Sequence, residues 1–97
     1  MKAIFVAYNQ AYNEEIVDLL GQLGQRGYTV WQDVVGRGSV DGEPHLGSHA
    51  WPTQNQAVLT VVEDGLTPKV MNALRDKDAA YPDLGLRAYV LPVEEVL

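Results

Sequence analysis

The order of strand-like and helix-like segments restricts this chain to few folds. Short apolar, β-prone runs occupy residues 2–8, 28–35, 56–62 and 86–91, and apolar residues recur at helical spacing after the first and third runs. The resulting order is β-α-β-β-α-β. It predicts an α+β fold of the ferredoxin-like type, in which two helices cover one face of an antiparallel four-stranded sheet.

Capping signals predict where the two helices begin and end. The first helix begins near Ala11 and is expected to stop at Gly27. For the second helix, Thr67 is the expected N-cap and Pro68 the first helical residue, with Pro82 just beyond the end. All of these elements fit one domain spanning residues 1–97.

The predicted strands are apolar on both faces, although two helices can cover only one. In the second strand, Val30 and Val34 alternate with Trp31 and Val35. Either these side chains fill the core of a monomer, or the uncovered face is buried by further copies of the chain. We expect the second arrangement, because exposed apolar patches of this kind usually mark interfaces.

Composition excludes several classes of function. The formal net charge of −6 argues against nucleic-acid binding, which depends on Lys and Arg neutralising phosphates. The chain contains no cysteine, which rules out disulfide scaffolds and Cys-ligated metals. No apolar run is long enough for a signal peptide or for membrane insertion, so we expect a cytoplasmic protein.

The second and third strands should be antiparallel neighbours, yet residues 36–55 separate them, far more than a hairpin turn needs. Loops of this length are usually functional or disordered. The segment is rich in Gly and Pro, which makes helix implausible. We expect it to recognise a partner protein through Glu43, His45, His49 and Trp51, a mixture of donors, acceptors and one aromatic ring.

The two histidines of this loop also suggest a metal site. His45 and His49 are the only histidines in the chain, and Glu43 precedes them by two residues. Two imidazoles and a carboxylate suit Zn(II) or Cu(II). The alternative is that both rings are solvated or hydrogen-bonded, because a spacing of four outside a helix does not place them on one side.

Three strings resemble the PII nitrogen-regulatory signal proteins. Residues 26–30 (RGYTV) and 35–38 (VGRG) resemble that family's second strand and the entry to its mobile T-loop, and residues 88–96 (AYVLPVEEV) resemble its last strand. The resemblance implies a homotrimer with effector sites between subunits and T-loops that dock on partner proteins. It implies effector-binding roles for Gly36, Arg37 and Gly38, and for Arg87, which stands near the family's phosphate-contacting lysine.

Two parts of the family pattern are changed. The T-loop-like segment 36–55 contains no tyrosine for modification, and residues 81–87 replace a glycine-rich, basic phosphate-binding loop. Phosphates would need backbone donors and positive charge there. The cofactor is therefore left open between a nucleotide, another small effector, and Zn(II) or Cu(II).

These observations predict a PII-like signal-transduction protein that binds a small effector between subunits and acts on a partner through residues 36–55. The alternative is a trimeric metal-binding protein of the related CutA-like type, using Glu43, His45 and His49. We do not expect an enzyme. Ser48 and His49 are adjacent in sequence, but adjacency does not orient a base toward a nucleophile.

Overall fold

The structure is a computed structural model that describes residues 1–35 and 54–97. Two short 3-10 turns, Gln10–Tyr12 and Pro82–Leu84, supplement the main elements. The helices and strands are β1 (Lys2–Asn9), α1 (Asn13–Gln22), β2 (Thr29–Val34), β3 (Asn55–Val62), α2 (Thr67–Ala80) and β4 (Arg87–Pro92).

The four strands form one antiparallel sheet in the order β2-β3-β1-β4. Strand β1 therefore lies inside the sheet, paired with β3 on one side and β4 on the other. Each helix follows one of the two inner strands, β1 or β3, as the ferredoxin-like order requires. The predicted fold class is confirmed.

One face of the sheet packs under the helices and holds the core. Alternate residues of β1 point to this face, so Ile4, Val6 and Tyr8 have no exposed surface. Buried side chains of both helices close over them. The core consists of Ile4, Val6, Tyr8, Ile16, Leu19, Leu20, Val58, Val62, Val70, Leu74, Leu84 and Leu86.

Helix α1 ends five residues before the predicted stop at Gly27. The cause is Gly24, whose φ of +83° breaks the helical path. Its N–H donates to the Gly21 carbonyl at 3.0 Å, and the Gln25 N–H donates to the Leu20 carbonyl at 2.9 Å. This is a Schellman arrangement, which satisfies the last carbonyls of a helix and favours glycine at the left-handed position.

The start of α2 also differs from the prediction. Thr67 is the first helical residue, with Leu66 at the N-cap, and the Thr67 side chain does not cap the helix. Its hydroxyl instead donates to the Glu63 carbonyl at 3.1 Å. Pro68 is therefore the second helical residue and not the first, although it still lies in the first turn. At the other end Tyr81 follows the last helical residue, so Pro82 lies just beyond the helix as predicted.

Strand β2 is irregular, which corrects the predicted alternation of its side chains. The partner of Trp31 is Ala57 but that of Val34 is Asn55, so one extra residue has been inserted into β2. Asp33 takes a φ of +56° at this bulge. The insertion moves Val34 to the same face as Trp31, whereas strict alternation would have placed it with Val30 under the helices.

The opposite face of the sheet carries no helix, and we call it the bare face. Trp31, Tyr89 and Leu91 on this face are 44%, 56% and 51% exposed. The rings of Phe5 and Trp31 lie 6.3 Å apart, so two aromatic side chains meet across β3, which lies between their strands. The bare face consists of Ala3, Phe5, Ala7, Thr29, Trp31, Val34, Asn55, Ala57, Leu59, Val61, Arg87, Tyr89 and Leu91.

Polar groups under the helices are tied to the turn that follows α1. The Thr60 hydroxyl donates to the Gly27 carbonyl at 2.6 Å. The side-chain amide of Gln25 reaches the Thr60 hydroxyl at 2.7 Å and the Val61 carbonyl at 3.0 Å. These bonds hold the entry to β2 against β3. By contrast, the buried Oε1 of Gln56 has no hydrogen-bond partner within the described residues.

Candidate functional site

Several connections meet at one end of the sheet. Here β1 ends at Asn9, β3 begins at Asn55 and β4 begins at Arg87. Residues 36–53, which the structure does not describe, join β2 to β3 at the same end. Turns at the end of a sheet are free of ladder constraints, so side chains with chemical roles are often held there.

A hollow of 370 Å³ lies on the bare face at this end. Its walls are mainly apolar and include the rings of Phe5, Trp31 and Tyr89. Val35, the last described residue before position 36, forms part of its rim. The remaining lining residues are Ala7, Val34, Asn55, Ala57, Gly85 and Arg87. Apolar walls with a small number of polar groups are typical of small-molecule sites.

Arg87 supplies the positive charge of this hollow. Its side chain is exposed, and among the described residues Nη1 donates only to the neighbouring Leu86 carbonyl, at 3.2 Å. No carboxylate of residues 1–35 or 54–97 forms an ion pair with it. A guanidinium in this state keeps most of its donors for an anion, and its planar fork matches carboxylate or phosphate oxygens.

The turn before β4 sets the direction of Arg87. Leu84 and Leu86 are buried in the core and hold both sides of the turn. Between them, Gly85 has a φ of +60°. This is a left-handed backbone conformation that residues other than Gly, Asn and Asp rarely adopt. The alternation of the strand then places Arg87, beside Ala7 of β1, on the bare face.

Aromatic and amide contacts attach this turn to the end of β1. The rings of Tyr12 and Tyr81 lie 5.5 Å apart, and the Lys77 ammonium lies 5.3 Å from the centre of the Tyr81 ring. The Asn9 amide donates to the Asp83 carbonyl at 3.3 Å. The two turns at this end of the sheet therefore form one connected unit.

Tyr8, which precedes Asn9 in β1, is a buried titratable group beside this unit. Burial, with a smaller contribution from Tyr28, raises the pKa of Tyr8 to about 12. Its hydroxyl donates to Oδ1 of Asn13, the first residue of α1, at 2.5 Å. Tyr8 therefore stays protonated at neutral pH and acts as a structural donor that ties β1 to α1.

Two further hollows lie on the helix side of the molecule. One of 500 Å³ runs between α1 and α2, where Glu15, Asp18 and Asp76 contribute carboxylates. The other, of 510 Å³, lies between α1 and the turn that leads to β2. The carboxylates make the groove between the helices a poor place for an anion, in contrast to the hollow beside Arg87.

Of the predicted effector-binding residues, the structure describes only Arg87, which lies at the hollow. Gly36, Arg37, Gly38, Glu43, His45, His49 and Trp51 lie outside the described residues, so the roles predicted for them remain predictions. Sequence reasoning missed Phe5 and Tyr89 as residues of the hollow, and it missed the contact of Asn9 with the turn before β4. The alternation of side chains along β1 and β4 could have indicated Phe5 and Tyr89, because both alternate with core positions and so point to the opposite face.

Within residues 1–35 and 54–97, no group of three or more His, Cys, Asp or Glu side chains is arranged to hold a metal ion. The proposed ligands Glu43, His45 and His49 fall in the segment between these ranges. Among the described helices, none combines the length and apolar character needed to cross a membrane.

Comparison with known structures gives the same fold. A PII-like signaling protein from Thermus thermophilus matches with a TM-score of 0.66 and 22% identity, covering 92% of this chain and 82% of that one. The CPII protein of Thiomonas intermedia K12, bound to ADP and bicarbonate, matches with a TM-score of 0.73 and 19% identity, covering 97% of this chain and 88% of that one. The same CPII protein bound to ADP, AMP and acetate matches with a TM-score of 0.72 and 18% identity, covering 97% of this chain and 88% of that one.

At these identities the structural matches show the fold alone, and no curated protein matches the chain significantly in sequence. The family assignment rests on a different comparison. The family model described as Nitrogen regulatory protein P-II matches residues 1–97, which is the whole length of the sequence. The predicted resemblance is confirmed, and the chain belongs to the P-II family of nitrogen regulatory proteins.

Proposed function

We propose that this chain is a PII-like regulatory protein that binds a small anionic effector in the hollow beside Arg87. The observation that carries the proposal is the pairing of an apolar hollow with a guanidinium that has no carboxylate partner among the described residues. An effector with a flat apolar part and an anionic part would satisfy both features, since rings pack on aromatic walls and anions accept from Arg. A nucleotide has this combination.

The related structures support a nucleotide or bicarbonate as the effector class. The CPII protein of Thiomonas intermedia K12 is described as bound to ADP and bicarbonate, and also as bound to ADP, AMP and acetate. In the present chain, residues 81–87 carry a single glycine in place of a glycine-rich loop. We therefore propose that Arg87 replaces part of the phosphate binding that such a loop would supply through its backbone.

The protein is proposed to act as a homotrimer in which copies cover each other's bare faces. Trp31, Tyr89 and Leu91 form an exposed apolar surface that a soluble monomer rarely presents. A neighbouring copy on this surface would also add walls to the hollow, because the hollow lies on the same face. The effector would then bind between subunits.

Segment 36–55 is proposed to carry the signal to a partner protein. Val35, at the start of the segment, lines the hollow, and so does Asn55, at its end. An effector seated there would contact both ends of the segment, which allows its binding energy to shift the conformations available between them. The cytoplasmic location remains a prediction.

We propose a regulatory role and not a catalytic one. Residues 1–35 and 54–97 contain no Ser, Cys or His, so the described part of the chain offers no serine or cysteine nucleophile and no histidine base. No finding on the described residues or from the comparisons supports the zinc or copper hypothesis.

Calorimetric titration with ADP, AMP, ATP and bicarbonate tests the proposed function. We expect at least one of them to bind, and Arg87→Ala to weaken that ligand by roughly tenfold or more, the usual effect of losing a charge-assisted hydrogen bond. Arg75→Ala is the matched control, because Arg75 lies on the exposed surface of α2 and donates to Asn72. No binding by the wild type, or unchanged affinity in Arg87→Ala, would contradict the proposal.

A further inference from the structure

Asn9 joins the two turns at the effector end of the sheet with one side chain. Its Oδ1 accepts from the Ala11 N–H at 3.0 Å, which caps the 3-10 turn after β1. Its Nδ2 donates to the Asp83 carbonyl at 3.3 Å, across a separation of 74 residues. The backbone N–H of Ala11 can only donate and the carbonyl of Asp83 can only accept, so the two partners fix the orientation of the amide.

The turn that carries Asn9 is itself held in place. Gln10 donates its backbone N–H to the Gln54 carbonyl at 2.9 Å, which attaches the turn to the residue just before β3. On the other side, the ring of Tyr12 packs against Tyr81. The backbone of Asn9 is therefore held in place, and its Nδ2 donor in turn restrains the Asp83 carbonyl that accepts from it.

The group that accepts from Asn9 lies shortly before Arg87 in the chain. Leu84 and Leu86 anchor the buried side of the turn, but Asp83 is exposed and lies on its outer side. Within the turn, the Leu84 N–H donates to the Tyr81 carbonyl at 3.0 Å. The Asn9 amide adds a second restraint, from outside the turn, on the peptide unit between Asp83 and Leu84.

We infer that Asn9 is a positioning residue for effector binding, which holds the turn over residues 82–86 so that Arg87 faces the hollow. This inference rests on the proposed function, since it assigns Arg87 an effector to bind. Asn9 itself does not line the hollow, so its influence on the ligand would pass through the turn. The interaction with the Asp83 carbonyl requires a donor at the position of the Asn9 amide. A carboxylate there has no proton to donate, and a serine hydroxyl is too short to reach.

Two substitutions separate this role from the capping role of Asn9. In Asn9→Asp, the carboxylate still accepts from Ala11 but no longer donates to Asp83. In Asn9→Ser, the hydroxyl can also cap the turn, but it is too short to reach Asp83 and adds no charge. Asn72→Asp, on the exposed surface of α2, is the control for the added negative charge.

The test measures the Kd for ADP by calorimetry and the hydrogen exchange of the Leu84 amide, which donates to the Tyr81 carbonyl within the turn. We expect both Asn9 variants to raise the Kd by roughly fivefold, the usual effect of losing one hydrogen bond. Exchange should accelerate at Leu84 and stay unchanged in β1 and β3. On the Arg87→Ala background, Asn9→Ser should change the Kd by less than about twofold, because the two residues act on the same contact.

Two results would overturn the inference. One is an unchanged Kd in both Asn9 variants when Arg87→Ala weakens binding, which would show that the turn holds Arg87 without Asn9. The other is unchanged exchange at the Leu84 amide. If the wild type binds no ADP, the nucleotide part of the proposed function fails, and the exchange measurement alone decides whether Asn9 holds the turn.

Discussion

The two faces of the sheet are built from the same kinds of residue but meet different surroundings. Under the helices, Ile4, Val6 and Tyr8 of β1 are completely buried. On the other side of the same sheet, Trp31 and Tyr89 are large, aromatic and about half exposed. Both faces are apolar, yet the two helices of this chain cover only one of them.

This difference indicates which part of the molecule is complete within one chain. The covered face forms a core that needs no partner, and its polar groups are mostly bonded within the chain, as Thr60 is to Gly27. The bare face leaves apolar surface in water and carries Arg87 at its end. Stability should therefore depend on the covered face, and assembly and ligand binding on the bare face.

A charge at Trp31, on the bare face of the edge strand β2, should have the largest effect on assembly. Trp31→Glu would bury an unpaired carboxylate at every contact between copies, at an expected cost of several kcal/mol for each. We expect this variant to dissociate into monomers that keep the far-ultraviolet circular dichroism of the wild type. An unchanged mass in sedimentation equilibrium would show that the bare face is not the contact.

A matched pair of leucine substitutions compares the two faces directly. Leu74→Ala, under the helices, should lower the free energy of unfolding by about 2–5 kcal/mol, because it leaves a cavity in the core. Leu91→Ala, on the bare face, should affect stability mainly through assembly. Urea unfolding at several protein concentrations separates the two, since only the loss in Leu91→Ala should vary with concentration.

The buried tyrosine of the covered face should make stability sensitive to high pH. The pKa of Tyr8 is raised to about 12, above the ordinary value of 10.0, so the folded state holds its proton more tightly than the unfolded chain. This contribution is fully present below pH 10 and is lost as the pH rises through about 12. The total loss should be about 2–3 kcal/mol.

Measurement of urea unfolding between about pH 9 and pH 12 checks this expectation. Tyr8→Phe should remove that part of the pH dependence, whereas Tyr89→Phe, on the bare face, should leave it in place. A wild-type profile with no loss of stability across this range would contradict a buried, protonated Tyr8.

The smallest expected effects distinguish bonded from unbonded polar groups on the covered face. Thr60→Val removes the donor to Gly27 and should lower the free energy of unfolding by about 1–2 kcal/mol. Gln56→Leu removes an oxygen that has no partner among the described residues, and should be neutral or slightly stabilising. If Gln56→Leu were the more harmful change, its oxygen would have a partner that the described contacts do not include.

Much of the fold could be predicted from the order and spacing of apolar residues in the sequence. The β-α-β-β-α-β order was sufficient for the sheet topology, because it is one of few orders that bury both helices on one face. The predicted strand limits agree with the structure closely. The Arg87 position was found only through the family resemblance, since a lone arginine in a strand has no chemical signature of its own.

Other features depend on backbone geometry that the residue types alone do not predict. Gly24 and Gly27 are both glycines, but only Gly24 takes a left-handed φ and ends α1. The bulge at Asp33 moved Val34 to the bare face, and nothing in the alternation of β2 marks an extra residue. The role of Asn9 has no signature in the sequence, because its link to Asp83 depends on the folding of distant segments.

The central claim is that the bare face is completed by further copies of the chain, with the effector hollow at its end. Sedimentation equilibrium of the wild-type protein at micromolar concentration tests it most directly. We predict a single species of about three times the chain mass of 10.7 kDa. A stable monomer of 10.7 kDa across that concentration range would contradict the account.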